Sequence, residues 1–187
     1  MAPILGIIAS GNWAGANASS YYSIATAVGT GSSGTITFSS IPSTYTHLQI
    51  RGIARSDRTA GTGAGMPITL NGDGAANYSS HRLYGDGATA SATGASNRSA
   101  LIDDDITADN QTANVYEVFI IDILDYANTN KYKTARALWG FDNNGSGSIR
   151  LLSGNWRNTN AVTSISFTLA GSNFKTPTQI ALYGIKS

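Results

Sequence analysis

The residues best able to do chemistry in this 187-residue chain are its carboxylates and its two histidines. Asp103-Asp104-Asp105, with Asp109 nearby, is the densest run of charge. Carboxylates at that spacing could hold Ca²⁺, a hard cation that collects many oxygen ligands; the plainer reading is a solvated acidic loop. The run lacks the spaced ligands, central Gly and closing Glu of a helix–loop–helix calcium site. NGDG (71–74), YGDG (84–87) and FDNNGSG (141–147) resemble pieces of calcium loops, and each is equally an ordinary hairpin turn. His47 and His81 could be completed by Asp73 or Asp86, but nothing in their spacing asks for zinc. No G-x-S-x-G elbow is present to present a serine nucleophile. Glu117 is the only Glu, with Asp122 and Asp125 as possible acidic partners. A glycosidase needs two carboxylates flanking one bond. Glu117 alternates instead with Val115, Phe119 and Ile121, which is the setting of a paired structural charge. GTGSSG and GTGAG have glycines but no lysine to cradle a phosphate. The expectation is a non-catalytic protein with no cofactor and no metal.

Composition points the same way. The chain has no cysteine, which removes disulfides, thiolate metal sites and a cysteine nucleophile. Charged residues make up 12%, the net charge is +1, and no basic block marks a nucleic-acid footprint. A length of 187 residues suits one domain able to bury a core without staples. Low charge in an ordered composition suggests a rigid, assembly-bound protein.

The positioning elements read as strands. Over residues 35–57, Ile36 and Phe38 alternate with Thr35 and Thr37; a Pro42 turn follows. Leu48, Ile50, Gly52 and Ala54 then share one face, with His47, Gln49, Arg51 and Arg55 expected on a wet one. Further strands are expected over 22–28, 67–70, 79–84, 134–141, 148–152, 164–169 and 179–185. Residues 116–124 are almost continuously apolar and are expected to be buried on both faces. Residues 55–65 and 86–114 read as long loops. Roughly eight to ten short strands with Gly/Asn turns predict an all-β antiparallel sandwich of jelly-roll type. The division is residues 1–20 as an N-terminal arm or docking segment and residues 21–187 as the β-sandwich domain.

The arm opens on MAPILGIIAS, too short to span a bilayer and without the basic start of a signal peptide. It reads as a first strand or buried arm, or as an anchor that docks on a partner through Ile4, Leu5, Ile7 and Ile8. Trp13, Tyr21, Tyr22 and Trp156 sit near expected loops or strand ends, where aromatics either pack or stack against sugars. No nucleic-acid or membrane partner is expected.

Several stretches together resemble a family. TITFSSIPSTYTHLQIRGIARSD, DILDYANTNKYKTARALWGFDNNGSG with SGNWRNTNAVTSI, and FKTPTQIALYGIKS are similar to small virion structural proteins of tailed bacteriophages, including phages of aquatic bacteria. The opening MAPILGIIAS is similar too, and residues 86–114 are the least familiar. The resemblance implies a multimeric virion part of jelly-roll type, with no catalytic residues to carry over. The expected function is a capsid decoration subunit, cement or head spike, docking on other virion proteins through its arm after assembly in the bacterial host cytoplasm. A homo-oligomer is expected, a trimer by preference. The alternative is a tail-fibre or receptor-binding module for host surface polysaccharide.

Overall fold

The computed structural model describes residues 20–186, so Ile4, Leu5, Ile7, Ile8 and Trp13 lie outside the described residues. The described chain is all-β. Its twelve strands are β1 (Tyr21–Val28), β2 (Thr35–Phe38), β3 (His47–Ala54), β4 (Gly63–Leu70), β5 (Tyr78–Gly85), β6 (Ala90–Arg98), β7 (Ile102–Thr107), β8 (Glu117–Leu124), β9 (Lys133–Asn143), β10 (Ser146–Trp156), β11 (Ile165–Thr168) and β12 (Gln179–Ile185). They form an eight-stranded sheet, β1-β12-β3-β8-β9-β10-β5-β6, and a four-stranded sheet, β2-β11-β4-β7. Every pairing between named strands is antiparallel. No described helix is long and apolar enough to cross a membrane.

The two sheets bury one shared core. From the small sheet come Ile36, Phe38, Met66, Ile68, Leu70, Ile165 and Phe167; the large sheet answers with Leu48, Ile50, Phe119, Ile121, Trp139 and Leu182. Phe119 stacks on Trp139 at 4.5 Å within its own sheet and reaches Phe167 of the other sheet at 6.3 Å. Its ring lies over Gly52, where an added Cβ would come within 2.1 Å of it. Asn71–Gly72 and Asn144–Gly145 both have positive φ and make tight turns, as the NG dipeptides predict.

Four expectations are corrected. There are twelve strands rather than eight to ten, because β6 and β7 occupy the segment read as a loop over 86–114 and β4 begins inside the one read over 55–65. β6 (ASATGASNR) has no apolar alternation because it is exposed throughout, at a sheet edge. β7 hides its period because its inward position 104 is an aspartate. Residues 116–124 are not buried on both faces: within β8, Val118, Ile120 and Leu124 are exposed while Phe119, Ile121 and Ile123 are buried. Arg55, expected in water, is 3% exposed. Its guanidinium donates to the carbonyls of Asp109, Gln111, Thr112 and Val115, so it organises the β7–β8 connection from inside. Gln49 is nearly as buried, spanning Arg51 and Asp122.

A core aromatic and an exposed leucine on the same fold should differ sharply. Phe167→Ala is expected to cost about 3–5 kcal/mol, and Leu124→Ala to stay within about 0.5 kcal/mol of wild type, both measured by urea unfolding.

Candidate functional site

Strand register decides what each sheet presents outward. On the small sheet, Ile36, Phe38, Ile165 and Phe167 point in, which leaves Thr35, Thr37, Ser166 and Thr168 outside. Thr37 and Ser166 share a hydroxyl–hydroxyl hydrogen bond at 3.0 Å. Over β2 and β11 this face is the hydroxyl-bearing surface expected from the Ser/Thr content, while β7 adds the outward carboxylates Asp103 and Asp105.

The large sheet is the opposite. Arg51, Ile120, Leu138, Leu151, Leu83 and Ala92 stand side by side across six strands. A neighbouring row runs Ile53, Val118, Gly140, Ile149 and Gly85. Ile120, Leu138, Leu151 and Leu83 are 41–54% exposed, and Ile149 is 62% exposed. An antiparallel sheet with one solvated face normally alternates to polar residues there. Here both faces of the central strands are aliphatic, and a contiguous apolar patch of this kind marks a contact surface.

The second row is sunken because two of its members are glycines. A Cβ on Gly140 would lie 2.4 Å from the Ser148 carbonyl oxygen, so the backbone leaves no room for a side chain there. The result is an open groove of about 760 Å³ floored by Ile53, Val118, Ile120, Leu138 and Ile149. The β9–β10 turn, with Asp142 and Gly145–Ser148, and the turn at Asp86 form one wall. Arg51 and Tyr183 stand on the other side. The Arg51 guanidinium lies 5.7 Å from the Tyr21 ring and 5.8 Å from the Tyr183 ring, and its Nε donates to Gln49. Beyond Arg51 a polar row follows: Gln49, Asp122, Arg136, Ser153 and His81.

The ionisable residues singled out in the sequence go elsewhere. Asp103, Asp104 and Asp105 sit on a strand, so their side chains alternate. Asp103 pairs with Arg98 at 2.9 Å outside, while Asp104 is 4% exposed inside. Asp104 meets Arg150 at 2.9 Å and Arg82 at 3.4 Å. Arg150 also stands 3.7 Å from Glu117, which accepts a hydrogen bond from Thr107. Burial pushes the Glu117 carboxyl up to about 7, against the pull of Arg150. Asp122 lies on the opposite face of β8 from Glu117, and Asp125 pairs with Lys131 and His47, so no second acid joins Glu117 from either. The acid that does approach it, Asp104, was visible only as part of a charge run. Glu117 and Asp104 do not line the groove. Among the described residues no group of three or more His, Asp or Glu converges as a metal would require.

The three described aromatics among the surface candidates, Tyr21, Tyr22 and Trp156, do not form one platform. Trp156 is 1% exposed, stacked on Tyr78 at 6.3 Å, with its Nε1 donating to Asp73 at 2.7 Å. It is a core residue, and that hydrogen bond holds Asp73 below the usual carboxylate range. Tyr22 packs on Tyr45 at 5.6 Å beneath Lys186. Tyr21 alone is beside the groove rim. The sheet face itself was missed. Its signal was the unbroken apolar run of β8 and the LL and AL pairs of β9 and β10, which satisfy a buried strand and an exposed sticky one equally.

With this geometry in hand, comparison with protein-family models and with curated proteins finds no match to the chain.

The buried acid makes stability pH-dependent. Glu117 is protonated in the folded chain up to about pH 7 but only to its ordinary 4.5 when unfolded. The folded state therefore binds more protons across that window, and stability falls as pH rises through it. The fall should be on the order of 3 kcal/mol. Denaturant melts from pH 4.5 to 8 should show this slope, and Glu117→Gln should flatten it while raising stability at about pH 8.

Proposed function

We propose that this protein is a non-catalytic structural component of a tailed-bacteriophage virion, a capsid decoration subunit of the cement or head-spike kind. The observation that carries the reading is the aliphatic outer face of the large sheet. Its floor of Ile, Val and Leu offers a macromolecular surface apolar contact and offers a reacting molecule neither nucleophile nor acid–base pair. The sequence stretches quoted above supply the virion assignment by resemblance. The hydroxyl-lined β2–β11 half of the small sheet fits a module packed among many copies, since neutral polar groups do not repel at a distance.

Strand order supports a jelly-roll reading. The chain passes between the sheets at β1–β2, β2–β3, β3–β4, β4–β5, β6–β7, β7–β8, β10–β11 and β11–β12. The small sheet interleaves early and late strands, and the meander β8–β9–β10 takes the place of one strand in the large sheet. Attachment to other virion proteins falls to Ile4, Leu5, Ile7 and Ile8 of the arm, with assembly in the host cytoplasm.

Tyr21 and Tyr183 flanking Arg51 favour a second reading, a tail-fibre module that stacks a host polysaccharide at the groove rim. The groove floor argues against it, because branched aliphatics neither stack on sugar rings nor hydrogen-bond to hydroxyls.

Quantitative mass spectrometry of purified particles tests the assignment. Decoration requires on the order of hundreds of copies per particle, scaling with a repeating shell in which each copy makes a standard contact; a few dozen would indicate the tail, and absence from particles would overturn the reading. A chain lacking residues 1–10 should keep its β-type circular dichroism and lose attachment to heads.

A further inference from the structure

We infer that two copies of this chain pair through the outer faces of their eight-stranded sheets, about a two-fold axis running along the inner row Gly52, Phe119, Trp139, Arg150 and Tyr84. That row lies midway between the two aliphatic rows, so rotation about it exchanges them. Leu138 of one copy then faces the second copy's Gly140, and Leu83 faces its Gly85. Ile120 meets Val118 and Leu151 meets Ile149 in the same way. The projecting leucines are 51% and 53% exposed, and the positions they meet carry no side chain: Gly85 is half-buried, and Gly140 is buried at backbone level in the groove lining. The surface is therefore knob and hole for itself, as an isologous contact requires.

Charge follows the same symmetry. Along β9 the outward residues run Arg136, Leu138, Gly140, Asp142. The axis lies over Trp139, between Leu138 and Gly140, so Arg136 of each copy is set over Asp142 of the other. At β5, His81 is set over the turn that carries Asp86. The footprint is adequate. Six strands at about 4.8 Å and four rows at about 6.8 Å cover on the order of 800 Å², which matches what each partner of a stable complex contributes. Face-packed sheets hold their strands within about 30° of alignment, so the pairing of rows survives the twist.

The inference rests on reading this face as a protein contact and not on the virion assignment. It replaces the expected trimer with a two-fold pair. Sedimentation of the full chain up to about 100 µM should give twice the 19.4 kDa chain mass. Leu138→Arg, and separately Leu151→Arg, should weaken the dimer by at least about 30-fold without changing the circular dichroism of the fold. Arg136→Asp and Asp142→Arg should each weaken it by about 10-fold, and the double variant should return to within about threefold of wild type. A monomer overturns the inference, leaving residues 1–19 or a different protein as the cover of this face. A trimer, a dimer indifferent to both arginine variants, or a charge swap that fails to restore pairing also overturns it. A monomer still present at high copy on particles would sink the pair and leave the decoration reading standing.

Discussion

Phe119 lying flat on Gly52 is the contact on which the rest of the structure depends. With no Cβ beneath it, the ring settles against the sheet, stacks on Trp139 and reaches Phe167 across the interior. That commits the row Gly52, Phe119, Trp139 to the inside. Strand geometry has a period of two, so the residues on either side are sent outside with no further choice. Ile120, Leu138 and Val118 are exposed because Phe119 and Trp139 are not. The outer face is thus a consequence of how the core is filled, and its hydrophobicity is tolerated on a surface only where something covers it.

The interior also holds charge, and its arrangement is structural. Arg55 and Lys133 each end among loop carbonyls rather than beside a fully buried acid. Lys133 donates to Asn128, Lys131 and Thr159, and Arg55 to four carbonyls of the β7–β8 connection. Each lets a loop fold inward without leaving its carbonyls unpaired. Arg150 serves a different seam. It joins β10 of the large sheet to Asp104 and the Asp105 carbonyl on β7, the edge of the small sheet, beside the Trp139 indole that donates to the same carbonyl. Asp104 and Glu117 share this one deeply buried guanidinium, at 2.9 and 3.7 Å. A proton on Glu117 leaves the Arg150–Asp104 pair balanced, and burial favours that state.

The two outer faces explain the composition. Abundant Ser and Thr serve the small sheet, whose outer surface stays in water. Part of the aliphatic share lies outside the core, on the outer face of the large sheet. The groove lies on the most aliphatic part of the surface.

Much of the sandwich was legible in the residues. Alternation in TITF, HLQIRGIA and SISFT, with NG turns between, required antiparallel strands, because a period of two and positive-φ turn residues are local properties of the chain. Glu117 was legible as an inward-facing acid from its place among core positions, while its raised titration was not, because that comes from the burial the sheets impose. β6 was not, since an edge strand exposed on both sides needs no apolar pattern to announce it. β7 was not, because Asp104 is tolerated inside by Arg150, some 46 positions away, and by Arg82. The aromatics were ambiguous for the same reason: Trp13, Tyr21, Tyr22 and Trp156 look alike in sequence, and only the fold sends Trp156 to the core and Tyr21 to the groove rim. The residues alone determined that the chain is built of strands with one apolar face each. Which strands carry two such faces was decided by register across the sheet, a property of pairs of segments distant along the chain.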